Sequence, residues 1–142
     1  MMYLATPYTA HTICMEVAYK DALWASVRLI DLGLDVFSPV VHFHPMSLRM
    51  RERPHSFWMA RCMPFLMAAD ELLVVQMPGW DRSKGIAEEV RTFEEIGRPP
   101  LYLGWPMTDY DVGKVLAREA GIKTAADTDW SATYPRKSHF SL

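Results

Sequence analysis

The stretch Gly79–Glu89, reading GWDRSKGIAEE, gathers the residue types that hold anions and attack electrophilic carbon. Pro78-Gly79 makes a turn after an apolar run, and Ser83 falls at or near the N-cap of the helix that follows. The free N–H groups of such a helix start favour an anion, and Arg82 and Lys84 flank the same spot. Glu89 stands apart from its acidic neighbours. At about 100° per residue, Ile86, Val90, Phe93 and Ile96 define the apolar face of this helix, and Glu89 falls between Phe93 and Ile96. Glu88, Arg91 and Glu95 fall on the opposite side. A carboxylate turned toward a core is costly unless it is paired, bound or used. That singles out Glu89 from its neighbours, the alternative being a rim carboxylate that snorkels to water or pairs with an Arg.

Other residues carry weaker signals. His42 and His44, with His55 and Cys62, are the residue types of a zinc site. On an extended segment, His42 and His44 project to one side, but their spacing matches no recognised zinc pattern. Histidines that contact a substrate at a strand's carboxyl end, or that simply close a loop, are the preferred reading, with no metal and no cofactor. Tyr8, Phe43, Trp58 and Trp80 could stack on a planar base. Of these, Trp58 reads as core, whereas Trp80, in a polar turn, reads as a binding residue. Asp70 reads as structural and the ten methionines as core filler.

These residues need a frame. Met2–Ala5 reads as a buried strand ended by Thr6-Pro7. Helical periodicity over 11–31 runs through Val17, Ala18, Leu23, Trp24, Val27 and Ile30, and Gly33 supplies the stop. Leu34–Phe37 is a second strand. The segment 38–55 is long enough to be functional or to carry a short helix. Residues 56–68 read as a helix that Pro64 should shorten or kink. Leu72–Gln76 is a strand, 84–96 a helix closed by Gly97, and Pro100–Leu103 another strand. Thr108-x-x-Asp111 resembles a capping box for a last helix ending near residue 120, with Gly121 just past it. This alternation predicts a single α/β domain over residues 1–121: a doubly wound parallel sheet of four to five strands, helices on both faces, flavodoxin- or Rossmann-like. The tail 122–142 is polar and unassigned. Ligands of such sheets bind beyond the carboxyl ends of the strands, which selects segments 6–12, 38–45, 77–85 and 104–108.

Composition sets the outer limits. The chain has 142 residues, half of them hydrophobic, 23% charged, with a net charge of −2. It fits one domain with its own core and offers no global field for nucleic acid or an acidic membrane. The basic run RMRER at 49–53 is interrupted by Glu52. Cys14 and Cys62, both in helix-like apolar segments, read as buried thiols of a reducing compartment. MMYLATPYT lacks the layout of a signal peptide, and no run approaches the ~18 apolar residues of a membrane span, so the cytoplasm is expected.

The stretch S-x-G-[IV]-x-x-E, here Ser83, Gly85, Ile86 and Glu89, resembles the signature of the nucleoside 2-deoxyribosyltransferase superfamily, which includes the 2′-deoxynucleoside 5′-monophosphate N-glycosidases. Tyr3 on the first strand, the loop Thr6-Pro7-Tyr8-Thr9 and the element Ala69–Val75 are similar to further parts of that pattern, over about residues 1–103. The wider pattern, VFSPVVHFHP through GWDRSKG, is most similar to an uncharacterised bacterial and phage branch. The resemblance implies a covalent mechanism. Glu89 would attack the anomeric carbon and expel the base, Tyr3 would orient Glu89, and Ser83 would contact a 5′-phosphate. Thr6, Pro7, Tyr8, His42, His44, Gly79, Trp80, Asp81 and Gly85 would line the substrate. It also implies a homo-oligomer, dimer or tetramer, in which a neighbour completes the site and the tail 122–142 could take part.

One position departs from the pattern. Members carry an Asp eight residues before the Asp of the Ala69-Asp70 element, and this chain has Cys62 there. His42, His44 or Asp81 could take over the acid step. Three readings follow: an N-glycosidase or deoxyribosyltransferase, a nucleotide-binding module of the same fold without turnover, and a metal-dependent hydrolase built on His42 and His44.

Overall fold

The computed structural model describes the backbone of residues 1–125 and the side chains of residues 1–121. Among the described residues there are four strands, β1 (Met2–Ala5), β2 (Val36–Phe37), β3 (Glu71–Val75) and β4 (Leu101–Leu103), all parallel in the order β2-β1-β3-β4. Helices α1 (Met15–Asp31), α2 (Pro39–Ser47), α3 (His55–Ala68), α4 (Lys84–Glu95) and α5 (Asp109–Ala125) connect or follow them, with a 3₁₀ turn at Trp80–Arg82 before α4. The predicted doubly wound α/β domain is what forms.

Alternation along the central strands explains the layers. Met2 and Leu4 of β1 and Leu73 and Val75 of β3 face a cluster completed by Ala25 and Leu29 of α1 and Val115 of α5. Tyr3 and Ala5, with Leu72 and Val74, face the other cluster, completed by Cys62 and Leu66 of α3 and Ile86 and Phe93 of α4. Strands buried on both faces read as unbroken apolar runs, as MYLA and ELLVV do.

The chain leaves β1 for β2 on one side, then returns to place β3 on the other side of β1. Connections therefore diverge at the carboxyl ends of β1 and β3, which opens a crevice there. Two backbone features fix the loops that border it. Gly79 has φ +95°, and a Cβ on it would lie 1.9 Å from the Ala10 carbonyl oxygen, so the β3–α4 turn presses directly on the β1–α1 loop. At the far edge, the Asp111 carboxylate accepts from Gly104 N–H at 2.9 Å, Thr108 N–H at 3.1 Å and the Thr108 hydroxyl at 2.9 Å. Burial alone would raise Asp111, but these donors and Lys114 outweigh it and hold the group at about 2.

Several expectations need correction. Segment 38–55 does carry a short helix, at residues 39–47, so the extended geometry expected at His42 and His44 is absent; Ser38 caps it by accepting from Val41 N–H, and Pro39 sits at the first helical position, where its missing N–H is not needed. The α1 face against the sheet is Ala18, Ala22, Ala25 and Leu29; Leu23, Trp24, Val27 and Ile30 are exposed. Cys14 is an exposed N-cap and only Cys62 is buried. Helix α3 runs through Pro64 to Ala68, and α5 runs through Gly121 to Ala125. Methionines divide, with Met2, Met59, Met77 and Met107 buried and Met15, Met46, Met50 and Met67 exposed. The tail from residue 126 lies outside the described residues. No helix among the described residues is long and apolar enough to cross a membrane.

Candidate functional site

Glu89 is 5% exposed and lies on the inner face of α4 between Ile86 and Phe93. The Tyr3 hydroxyl, rising from β1, donates to its Oε1 at 3.2 Å. Its Oε2 is buried and has no partner. Burial pushes the carboxyl up to about 8; the Tyr3 hydrogen bond pulls the other way and the nearby Glu88 charge adds to the rise. Burial also raises the Tyr3 phenol, and Glu89 and Cys62 add to that, so its hydroxyl stays a donor across the neutral range. Cys62, beside Tyr3, is pushed up to about 11 by burial and remains a neutral thiol.

The N-terminus of α4 opens beside this carboxyl. Ser83 is the N-cap, its hydroxyl accepting from Ile86 N–H at 3.2 Å. Gly85 leaves space above the carboxyl: a Cβ there would stand 3.9 Å from Glu89 Oε1, 3.8 Å from Ser83 Oγ and 3.8 Å from His55 Cε1. His55, from the start of α3, pairs with Glu88 at 3.1 Å. A helix start, a hydroxyl, an imidazole and a buried carboxyl thus meet around Gly85, at contact distance for a single methyl group.

Other expected site residues fall in different places around the carboxyl ends of the strands. Thr6 and Pro7 are buried directly after β1, and Thr6 Oγ1 is a second buried polar atom without a partner. Trp80 packs edge-on to Tyr102, with ring centroids 5.8 Å apart, and joins the cluster on the Glu89 face of the sheet. Asp81 is exposed on the 3₁₀ turn. Because α2 is helical, His42 and His44 diverge. His42 is exposed and packs on Phe37 and Phe43, whereas His44 is buried between Tyr8, Glu16 and Tyr19. Among the described residues no group of three or more His, Cys, Asp or Glu side chains is placed to hold a metal ion. The paired projection of His42 and His44 is therefore withdrawn. Phe43 and Trp58 pack on each other, and the exposed Asp70 pairs with the terminal amine at 2.6 Å.

Sequence reasoning missed Glu16 and Tyr19 on α1 as partners of His44, and the buried His11 held by Asp21 at 2.9 Å. Nothing in their spacing marks contacts between α1 and α2. His11, four residues before α1, carried a weak signal only.

A short parallel α/β domain of Rossmann-like architecture, with an orphaned carboxyl oxygen at its switch point, is the class that fold and site define. Residues 1–127 match the family described as a domain of unknown function, DUF1937, and the chain belongs to that family. No curated protein shows significant similarity to it.

Proposed function

We propose that this domain cleaves or transfers the N-glycosidic bond of a nucleoside, a deoxynucleoside or its 5′-monophosphate, through a covalent sugar ester on Glu89. The observation that carries the reading is the state of that carboxyl, on the buried face of α4: one oxygen held by Tyr3 of β1, the other buried without a partner. Buried orphan atoms cost free energy, and function is a common reason for their retention. The S-x-G-[IV]-x-x-E pattern, similar to that of the nucleoside 2-deoxyribosyltransferase superfamily, points to the same residue.

The step balances as follows. Glu89 Oε2, ionised, bonds to the anomeric carbon, while the carbon–nitrogen bond breaks and its electron pair leaves with the base. The negative carboxylate offsets the positive charge that develops on the sugar. The base takes up a proton. Water then hydrolyses the ester, or a second base displaces it. Thr6 Oγ1 is where a sugar hydroxyl would bond, and the α4 N-terminus with Ser83 is where a 5′-phosphate would sit.

Chromatographic detection of free base over a panel of nucleosides and 5′-monophosphates tests this. Release by the wild-type chain and loss of at least ~10³-fold in Glu89→Gln is expected. Release that persists in Glu89→Gln would sink the covalent mechanism. A second reading rests on Cys62, a neutral thiol where the resembled pattern has an acid: the domain binds a nucleotide and does not turn it over. That reading expects ligand-induced thermal stabilisation without product.

A further inference from the structure

His44 is a buried group that the mechanism above leaves without a task. Its ring is 4% exposed, stacked on Tyr19 with centroids 4.6 Å apart, and engaged at both nitrogens. Nε2 lies 3.1 Å from Glu16 Oε2, and Nδ1 lies 2.6 Å from the Tyr8 hydroxyl. A carboxylate only accepts, so Nε2 carries the proton and donates to Glu16. In the neutral ring Nδ1 accepts from Tyr8; in the charged ring Nδ1–H donates to the Tyr8 oxygen and frees the phenol hydrogen. The result is a chain of hydrogen bonds from a solvent-exposed carboxylate, through a buried imidazole, to a half-buried phenol.

Tyr8 lies just past the carboxyl end of β1, the end of a parallel sheet where ligands bind. It is carried by the β1–α1 loop, two residues after Thr6 and its orphan hydroxyl. That loop is gripped from both sides, by His44 on the β2 side and by Gly79 on the β3 side. We propose that Tyr8 is the acid that protonates the departing base, with His44 and Glu16 as the positioning residues that recharge it.

In the first half-reaction the Tyr8 hydroxyl gives its proton to the base nitrogen as the glycosidic bond breaks. The phenolate takes the Nδ1 proton of His44, which becomes neutral while Glu16 keeps Nε2–H in place. In the second half-reaction the proton of the attacking water passes through Tyr8 back to Nδ1, so the cycle consumes only water and needs no further reagent. This supplies the acid that Cys62 does not.

The inference rests on the glycosidic reading, and the test separates the two. For the base released most rapidly, the parent substrate is compared with an analogue whose base leaves without a proton: an N7-methyl derivative for a purine, a 5-fluoro derivative for a pyrimidine. Tyr8→Phe is expected to lose at least ~100-fold in kcat/KM on the parent and to stay within about tenfold of wild type on the analogue. Glu16→Gln, at the exposed end of the chain, shows the same asymmetry to a smaller degree. Equal losses on both substrates would make the Tyr8–His44–Glu16 chain a structural tie and overturn the proposal. So would unchanged rates on both while Glu89→Gln is inactive, which leaves the glycosidic reading standing. Absence of base release from wild type on every substrate overturns both.

Discussion

At the residue scale, the carboxyl of Glu89 sets the behaviour of the site, and its proton decides when it can react. Burial holds the group at about 8, so in the free protein at neutral pH it is largely protonated and unable to attack carbon. kcat/KM for base release should therefore rise with pH up to about 8, far above the ordinary carboxylate range. The Tyr3 hydroxyl is the donor that favours the ionised form. Its removal in Tyr3→Phe should move the midpoint upward, by on the order of one pH unit, and slow the reaction at pH 7 by about tenfold. A rising limb near pH 4–5, or a Tyr3→Phe midpoint that moves downward, would contradict this assignment. The contrast with Glu88, half-buried and paired with His55, shows why two adjacent acids differ: one faces α3 and water, the other the sheet.

At the element scale, the strands, the α4 face and the Ser83 cap were legible in the residues because each has one dominant signal. MYLA and ELLVV are unbroken apolar runs, and Glu89 is the acid on the wrong side of a strongly amphipathic helix. In helix α1 size misleads: of the expected face Ala18 is buried, but the large residues lie outside. Ala18, Ala22, Ala25 and Leu29, spaced four, three and four apart, form a flat stripe that lets the helix lie close to the sheet. Leu23, Val27 and Ile30 are left outside, and Trp24 meets Trp105 edge-on under Arg28. Ile96 falls at the C-cap and is likewise exposed, since the helix ends before the wheel closes. Helix α2 carries a start signal in Ser38-Pro39 and runs through Pro45, and its turn sets the divergence of His42 and His44. The turn before α4 yields a direct test. Gly33 and Gly79 both have positive φ, yet a Cβ on Gly33 meets nothing within 4 Å and one on Gly79 meets the Ala10 carbonyl. Gly33→Ala should cost about 1 kcal/mol, the conformational term alone. Gly79→Ala should cost at least ~3 kcal/mol in denaturant unfolding and displace the loop carrying Thr6 and Tyr8. Similar costs for the two variants would mean the loops are not pressed together as described.

At the scale of the whole molecule, the site burdens the fold that supports it. The sheet is buried on both faces, and the crevice between β1 and β3 is where side chains from both loops converge, so an acid placed there displaces apolar packing. The consequence is a stability that depends on pH in a definite direction. Glu89 has an ordinary value of 4.5 and a folded value of about 8. Between those limits the folded chain keeps a proton that the unfolded chain releases, so stability falls as pH rises across the window. Below about pH 4.5 the penalty is absent, and above about 8 it is complete and constant. Gln keeps the shape of the side chain and an acceptor for the Tyr3 hydroxyl but has no charge to bury. Glu89→Gln should therefore match the wild type in Tm near pH 5 and exceed it increasingly up to pH 9. The gap there corresponds to on the order of 3–5 kcal/mol, or roughly 10 °C for a domain of this size. Thermal melts at half-unit pH intervals measure it without any knowledge of the substrate. A Tm difference that stays flat from pH 5 to pH 9 would mean that Glu89 is solvated or paired in solution, and the strongest physical reason for reading it as the reactive group would be gone.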